Sequence, residues 1–214
     1  MPFQVFDWRK DLRNLIVTPE IRGRFLRFEP HENHLAHSHD LGHEIFLILD
    51  GQCEMEIDGH RELLGPGQVC YAYAHQMHVA RNVGDTPMTM YLSVTPHIEP
   101  THTHYNQATG ERLPPRYNRP TAFDQPDTLA ETPSAELADT FLAAAQALTA
   151  VIQDAATRQG TAVEALKQAA DSGGRPEIAA AMDALWSDVY ATLRAVSVMS
   201  AAWNDLAPRA TKRT

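Results

Sequence analysis

The run from His37 to Gly51, His-Ser-His-Asp-Leu-Gly-His-Glu-Ile-Phe-Leu-Ile-Leu-Asp-Gly, limits what this chain can become more than any other stretch. His37 and His39 are two residues apart, so on an extended backbone both imidazoles leave one face and can reach one ion. Glu44 follows after four intervening residues, enough for a short bend that returns a carboxylate towards the pair. Ile45 to Leu49 then reads as a buried strand, and Asp50-Gly51 as the turn that ends it. His43 adjoins Glu44 and on a strand faces the other way, which places it at a rim or outer face.

The flanking chain supplies more short strands. Arg22 to Glu29 mixes apolar and charged residues as a partly exposed strand does, and Pro30 ends it. In Cys53 to Ile57, Cys53, Met55 and Ile57 alternate with Glu54 and Glu56, the pattern of a strand with one wet face. Asp58-Gly59 is a tight hairpin signal, His60 to Leu64 returns, and Gly65-Pro66-Gly67 turns the chain again. Val69 to Tyr73, His78 to Val83 and Met88 to Val94 complete the series. Short strands at close spacing, divided by Gly, Pro and Asp turns, predict a mainly β, antiparallel jelly-roll sandwich or barrel.

Downstream, His78 stands in Gly67-Gln-Val-Cys-Tyr-Ala-Tyr-Ala-His-Gln-Met-His78-Val-Ala-Arg-Asn82. Together the two segments resemble the cupin family. That family's first motif ends H-x-H, three or four residues, E, six residues, G, which His37, His39, Glu44 and Gly51 satisfy without a gap. Its second runs G, five residues, P-x-G, two residues, H, three residues, N, which Gly67, His78 and Asn82 satisfy. Two positions depart: His31 replaces the Gly that opens the first motif, and Tyr73-Ala74-His75 replaces Pro-x-Gly. The resemblance spans roughly residues 20 to 100. It implies a β-barrel with His37, His39, Glu44 and His78 as ligands of one divalent transition metal ion: Fe, Mn, Ni, Co, Cu or Zn. The ligand set does not choose among these.

Beyond the barrel, prolines at 96, 100, 114, 115, 120, 126 and 133 exclude a central strand or helix interior. Ser134 then reads as a helix cap with Glu136 in the first turn. Leu137, Phe141, Leu148 and Ile152 share a stripe; Gly160-Thr161 is expected to break it, and Ala162 to Ala170 to form a short second helix. After Gly173-Gly174, a third helix starts at Pro176. Its Ile178, Met182, Leu185, Val189, Leu193, Val196, Met199 and Trp203 recur at three and four, a stripe that needs a partner in the hairpin, the barrel or a second subunit. The expected organisation is an N-terminal arm at 1–20, a barrel at 21–100, a Pro-rich connection at 101–133, an α-helical region at 134–207 and a basic tail at 208–214.

The 214 residues carry a formal charge of -9, which argues against nucleic acid as a partner. The basic cluster from Arg209 to Arg213 reads as a solvated terminus. No stretch is read as long and apolar enough for a membrane span, and the opening residues lack the basic-then-apolar order of a secretory signal, so a cytoplasmic location is expected. Cys53 and Cys70 sit in no Cys-x-x-Cys pair and are expected as free thiols rather than a disulfide.

Three further groups invite functional readings. His75 is either a polar contact near the metal or an exposed loop residue. His97, His102 and His104 read as a polar loop at the barrel mouth. Tyr71, Tyr73 and Tyr91 are expected to be packing residues rather than cavity donors. The resemblance implies a metal-dependent enzyme, foremost an oxidoreductase of dioxygenase type acting on a small organic substrate. Glu44 would be its proton-transferring group, with Phe46, Ile48 and Met55 as a dry wall. Alternatives remain: a lyase or isomerase, or a non-catalytic metal and small-molecule binding module. A homodimer is the expected assembly.

Overall fold

The computed structural model describes residues 3–106, 108–172 and 174–211. They fall into two units: residues 1–130 with 207–214, and residues 131–206.

The first unit is built from ten strands: β1 (Asn14–Val17), β2 (Arg22–Phe28), β3 (His37–Ser38), β4 (His43–Asp50), β5 (Cys53–Ile57), β6 (His60–Leu64), β7 (Val69–Ala72), β8 (His78–Asn82), β9 (Met88–Thr95) and β10 (Thr103–His104). They form two five-stranded antiparallel sheets, ordered β1-β2-β9-β4-β7 and β10-β3-β8-β5-β6. This is the mainly β jelly-roll arrangement expected from the strand spacing, followed by helices. Membership of the sheets extends further than residues 21–100, because β1 pairs with β2 at one end and β10 pairs with β3 at the other.

Alternation decides what fills the interior. In β4, Glu44, Phe46 and Ile48 are buried while His43 and Ile45 are exposed. Across the sheet β9 turns in Met88, Met90, Leu92 and Val94, all buried. The inward series of β2 is Arg22, Arg24, Leu26 and Phe28, each opposite one of those β9 residues. The strand expected to be partly exposed is thus an interior strand whose first two inward residues are arginines, and Arg27 is its exposed charge. Burial of Phe28, Ile48, Met55, Met88 and Met90 makes the apolar core.

The motif residues without a chemical role have backbone roles. Gly51 has a φ of 74°, and a Cβ there would lie 2.8 Å from both the Met88 Cα and the Pro87 carbonyl oxygen, so only glycine fits. His31 and His75, the two replacements of family glycines, keep left-handed backbone, with φ of 61° and 69°. Asn82 is buried and its Nδ2 donates to the carbonyls of Phe28 (3.3 Å), Glu29 (3.0 Å) and Thr86 (2.8 Å), while its Oδ1 accepts from the Gly84 N–H (3.0 Å). One side chain thereby pins the end of β2 to the turn before β9. Cys53 and Cys70 are free thiols in different sheets, raised by burial to about 12 and about 11, so neither is a thiolate near neutrality.

The second unit is a helical hairpin of α1 (Ser134–Ser172) and α2 (Arg175–Leu206). The break expected at Gly160-Thr161 is absent, and one helix of 39 residues runs through it. Gly160 is exposed with open space around it, and its intrinsic cost of about 1 kcal/mol is small beside the packing of a long helix. Of the Gly173-Gly174 break, Gly173 lies outside the described residues. Phe141 meets Trp203 at 5.7 Å between ring centres, and Arg158 Nη2 lies 2.6 Å from Asp188 Oδ1, so the helices run antiparallel. Contrary to the sequence expectation, the segment Ser134–Asp171 is long and apolar enough to cross a membrane by length and composition, its apolarity lying in alanines rather than in one bulky run. Arg209 is also no free tail residue, since it donates to the Ala130 carbonyl at 3.0 Å and to that of Leu129. Lys212 and Arg213 lie outside the described residues.

Asn82→Asp removes the donors and sets a carboxyl against three carbonyls. A stability loss on the order of 3 kcal/mol is expected at pH 7, read from urea unfolding, with a smaller deficit relative to wild type at pH 4, where the new carboxyl is protonated. An unchanged midpoint would contradict the assignment.

Candidate metal centre

His37, His39, Glu44 and His78 each turn one ligand atom to a common point, and these atoms all lie within 4.8 Å of one another. Three strands or their ends position them. His37 on β3 is in register with His78 on β8, and His39 follows β3. Glu44, inward on β4, comes from the facing sheet. Gly42 permits this approach, since a Cβ there would stand 2.5 Å from Val94 Cγ2 and 3.1 Å from the Pro96 carbonyl oxygen.

The hydrogen bonds fix the tautomers. His37 Nδ1 lies 2.9 Å from the Leu35 carbonyl oxygen, His78 Nδ1 2.9 Å from that of Gln76, and His39 Nδ1 bonds to that of Thr101. A carbonyl oxygen only accepts, so each Nδ1 carries the proton and donates it. In the neutral rings every Nε2 is then a lone pair. Yet His39 Nε2 is 2.8 Å and His78 Nε2 3.1 Å from Glu44 Oε2. Two acceptors at that distance repel unless a cation lies on or between them. The donor set therefore fits a divalent metal: three imidazoles oriented by backbone carbonyls, plus one carboxylate.

Electrostatics agree with this chemistry. Burial alone would raise the Glu44 carboxyl, but hydrogen bonding and positive charge at His39 and His78, which exist only when the cluster carries a cation such as a proton on Nε2, outweigh it and hold the group well below the usual carboxylate range. Burial, with the nearby His78, pushes His37 down to about 3, which keeps its ring neutral and able to donate a lone pair.

Above the cluster opens a cavity of about 350 Å³. Phe46 contributes to its wall as expected, whereas Ile48 and Met55 belong to the core around it. His102 and His104 also line it, which corrects their reading as a mouth loop. β10 adds to β3 so that His104 is in register with His37, and the His102 ring centre is 4.8 Å from that of His37 and 5.0 Å from that of His39. A strand of two residues behind several prolines has no periodicity to read. The sequence analysis also missed Arg22 and Arg24, both cavity residues, although their spacing with Leu26 and Phe28 was the available signal.

The remaining candidates lie elsewhere. His43 is exposed and its Nδ1 accepts from the Ala74 N–H at 2.9 Å. His75 exposes its ring, but its N–H donates to the His39 carbonyl at 2.7 Å, so the backbone rather than the imidazole supports the site. Tyr71 and Tyr73 are exposed, and Tyr91 faces outward against Phe25. His97 is buried against Phe123 and is lowered to about 3 by burial, with Arg22 and then His39 adding to it.

Residues 24–95 match the family model of the cupin domain. That stretch, about a third of the chain, is a cupin domain. No curated protein matches it. Solved structures similar to this chain include an uncharacterized conserved protein with a double-stranded beta-helix domain from Klebsiella pneumoniae subsp. pneumoniae, at 20% identity over 44% of this chain and 91% of that one, TM-score 0.42. KdgF from Halomonas sp. shares 22% identity over 40% of this chain and 76% of that one, TM-score 0.38. A sugar phosphate isomerase from a cupin superfamily, from Silicibacter pomeroyi, shares 24% over 41% and 57%, TM-score 0.37.

The depressed histidines give a sign for acid sensitivity. His37 and His97 stay neutral in the folded protein down to about pH 3, while the unfolded chain protonates them near the ordinary value of 6.5. Unfolding in that window takes up protons, so stability is complete above about 6.5 and falls as the pH drops towards 3. The urea midpoint of metal-free protein is expected to fall on acidification, with a shallower dependence in His97→Gln; identical slopes would refute it.

Proposed function

We propose that this cupin is a metal-dependent enzyme, an oxidoreductase of dioxygenase type acting on a small organic substrate, with His37, His39, Glu44 and His78 holding one divalent transition metal ion. The observation that carries the metal reading is the shared tautomer: three Nδ1–H groups given to backbone carbonyls leave three Nε2 lone pairs, two of them 2.8 and 3.1 Å from the buried Glu44 carboxylate. Oxygen chemistry is supplied by the family resemblance. When bound, the ion would act as a Lewis acid with open coordination positions for substrate.

The chain's own groups support such chemistry. Glu44, kept ionised at neutral pH, can take a proton from a substrate carbon or hydroxyl next to the cluster. Its oxygen is then held by the same two imidazoles that flank it. Phe46, Leu92 and Met90 keep water from the reacting end of the cavity. His102, whose charged form is strongly disfavoured by burial and by His37 and His39, adds a neutral polar edge without competing positive charge.

Elemental analysis of purified protein is expected to give close to one metal ion per chain, with His39→Ala and His78→Ala lowering occupancy at least about tenfold and His43→Ala leaving it unchanged. Full occupancy in His78→Ala would overturn the centre. Metal-loaded protein should consume dioxygen with a flavonol, diketone or thiol substrate in a Glu44-dependent way. Turnover under strict anaerobiosis would instead indicate a lyase or isomerase, and reversible binding without turnover a binding module.

The proposal includes a homodimer. α2 leaves Met182, Trp186, Val189, Tyr190 and Leu193 exposed along one stripe, a surface that a second copy would cover. Light scattering is expected to give about twice the chain mass of 23.8 kDa, and a monomer at micromolar concentration would refute it.

A further inference from the structure

The interior arginines have no assignment in the metal chemistry. Arg22 is only 4% exposed, and both Arg22 and Arg24 line the cavity. The Nε of each is buried without a hydrogen-bond partner. The carboxylates whose field they feel are engaged by other groups: Glu44 by His39 and His78, Asp124 by Asn14, and Glu99 by Asn118. Among the described residues neither guanidinium has an ion pair within 4.0 Å; Arg22 instead stacks over Phe123, its Cζ 5.3 Å from the ring centre. A buried cation without a partner is costly, and a fold that keeps one, with a partly buried second beside it, facing one cavity has a place for an anion.

Register fixes where that anion sits. Arg22 on β2 and Glu44 on β4 are both opposite Val94 on β9, so they occupy one row of the sheet two strand spacings apart, about 9–10 Å between backbones. Arg24 lies in the next row, level with Leu92 and Phe46. Both side chains reach into the space between, so a single small molecule can touch the arginines and the metal cluster together. Leu26, Phe28, Phe46, Met90 and Leu92 make the nearby wall largely apolar, with His34 beside Phe28 as a further polar group. A cavity of about 350 Å³ is at the small end of ligand sites.

We propose that this cavity binds a small organic carboxylate with an apolar body, its carboxylate held by Arg22 and Arg24 and its opposite end turned towards His37, His39, Glu44 and His78. Two guanidiniums offer paired N–H donors that match the two carboxylate oxygens, and the apolar wall takes the body. The orientation of the bound molecule rests on the metal-centre reading; the contact with the anion does not.

Calorimetric titration tests it, with phenylacetate and hexanoate as probes, uncharged phenylacetamide as the matched control and inorganic phosphate as the competing anion, on metal-loaded and metal-stripped protein. Both carboxylates are expected to bind stripped protein, with phenylacetamide at least tenfold weaker. Arg24→Gln is expected to weaken phenylacetate at least tenfold with metal content unchanged, and Arg24→Lys to recover part of that loss. Ligand-free Arg24→Met is expected to melt at a higher temperature than wild type, because it removes an unpaired, partly buried charge, while losing carboxylate discrimination. Equal affinity for acid and amide, tighter binding of phosphate than of either carboxylate, or arginine variants that lower the Tm without changing affinity would each overturn the proposal. Stripped protein that takes up no metal yet separates acid from amide upholds it and sinks the metal centre; metal-replete protein blind to ligand charge does the reverse.

Discussion

A lone pair on His39 Nε2 facing a carboxylate oxygen of Glu44 at 2.8 Å is the contact on which the rest of the barrel depends. It is repulsive as it stands and becomes favourable only with a cation, so the fold must hold both partners in place against their own preference. Three backbone carbonyls do this for the imidazoles. Leu35 and Gln76 each serve the histidine two residues ahead, a local device that comes with the way the chain enters β3 and β8. Thr101 serves His39 across 62 residues of sequence. The third ring is therefore oriented by the segment after β9, which also supplies β10 and the cavity residues His102 and His104. A truncation at the end of the last long strand would keep all four donor residues and lose the geometry of one.

What the sequence made readable follows from the lengths of the patterns. Strands of five to eight residues, with inward and outward positions alternating, announced themselves, and so did the four donor residues on their fixed spacing. β3 and β10 have two residues each and exist because their neighbours offer free backbone groups, not because their own side chains alternate. Arg22 and Arg24 escaped for a different reason. Charge is ordinarily a mark of the outer face, and in β2 it outvoted a period-two series with Leu26 and Phe28 that was correct throughout. Gly160 misled in the opposite direction, since a residue of low helix propensity was given the weight of a stop although nothing nearby offered a competing turn.

The two departures from the family motifs separate what a motif asks of the backbone from what it asks of a side chain. At His31 and His75 the chain keeps the left-handed conformation that glycine adopts freely, and histidine is among the residues that tolerate it better than most. Both rings point to solvent, and the His75 N–H still reaches the His39 carbonyl. Gly51 could not be exchanged in this way, because the Met88 backbone occupies the place of its Cβ. Substitution is thus limited by space at one position and only by conformational preference at the other two.

The same distinction between tolerance and requirement bears on the charges of the interior. Glu44 is a single buried carboxylate in a space that also holds two guanidiniums, with the His37 and His102 rings kept neutral by burial. A divalent ion at the cluster would make that interior strongly positive in a medium that screens charge poorly. An anion between the arginines and the cluster relieves it from both sides. On this account the two proposed sites are coupled by field alone: an occupied cluster strengthens the hold on a carboxylate, and by linkage a bound carboxylate strengthens the hold on the ion by the same factor. No moving part is needed, because Arg22, Val94 and Glu44 share one row of a rigid sheet and the coupling is set by their spacing.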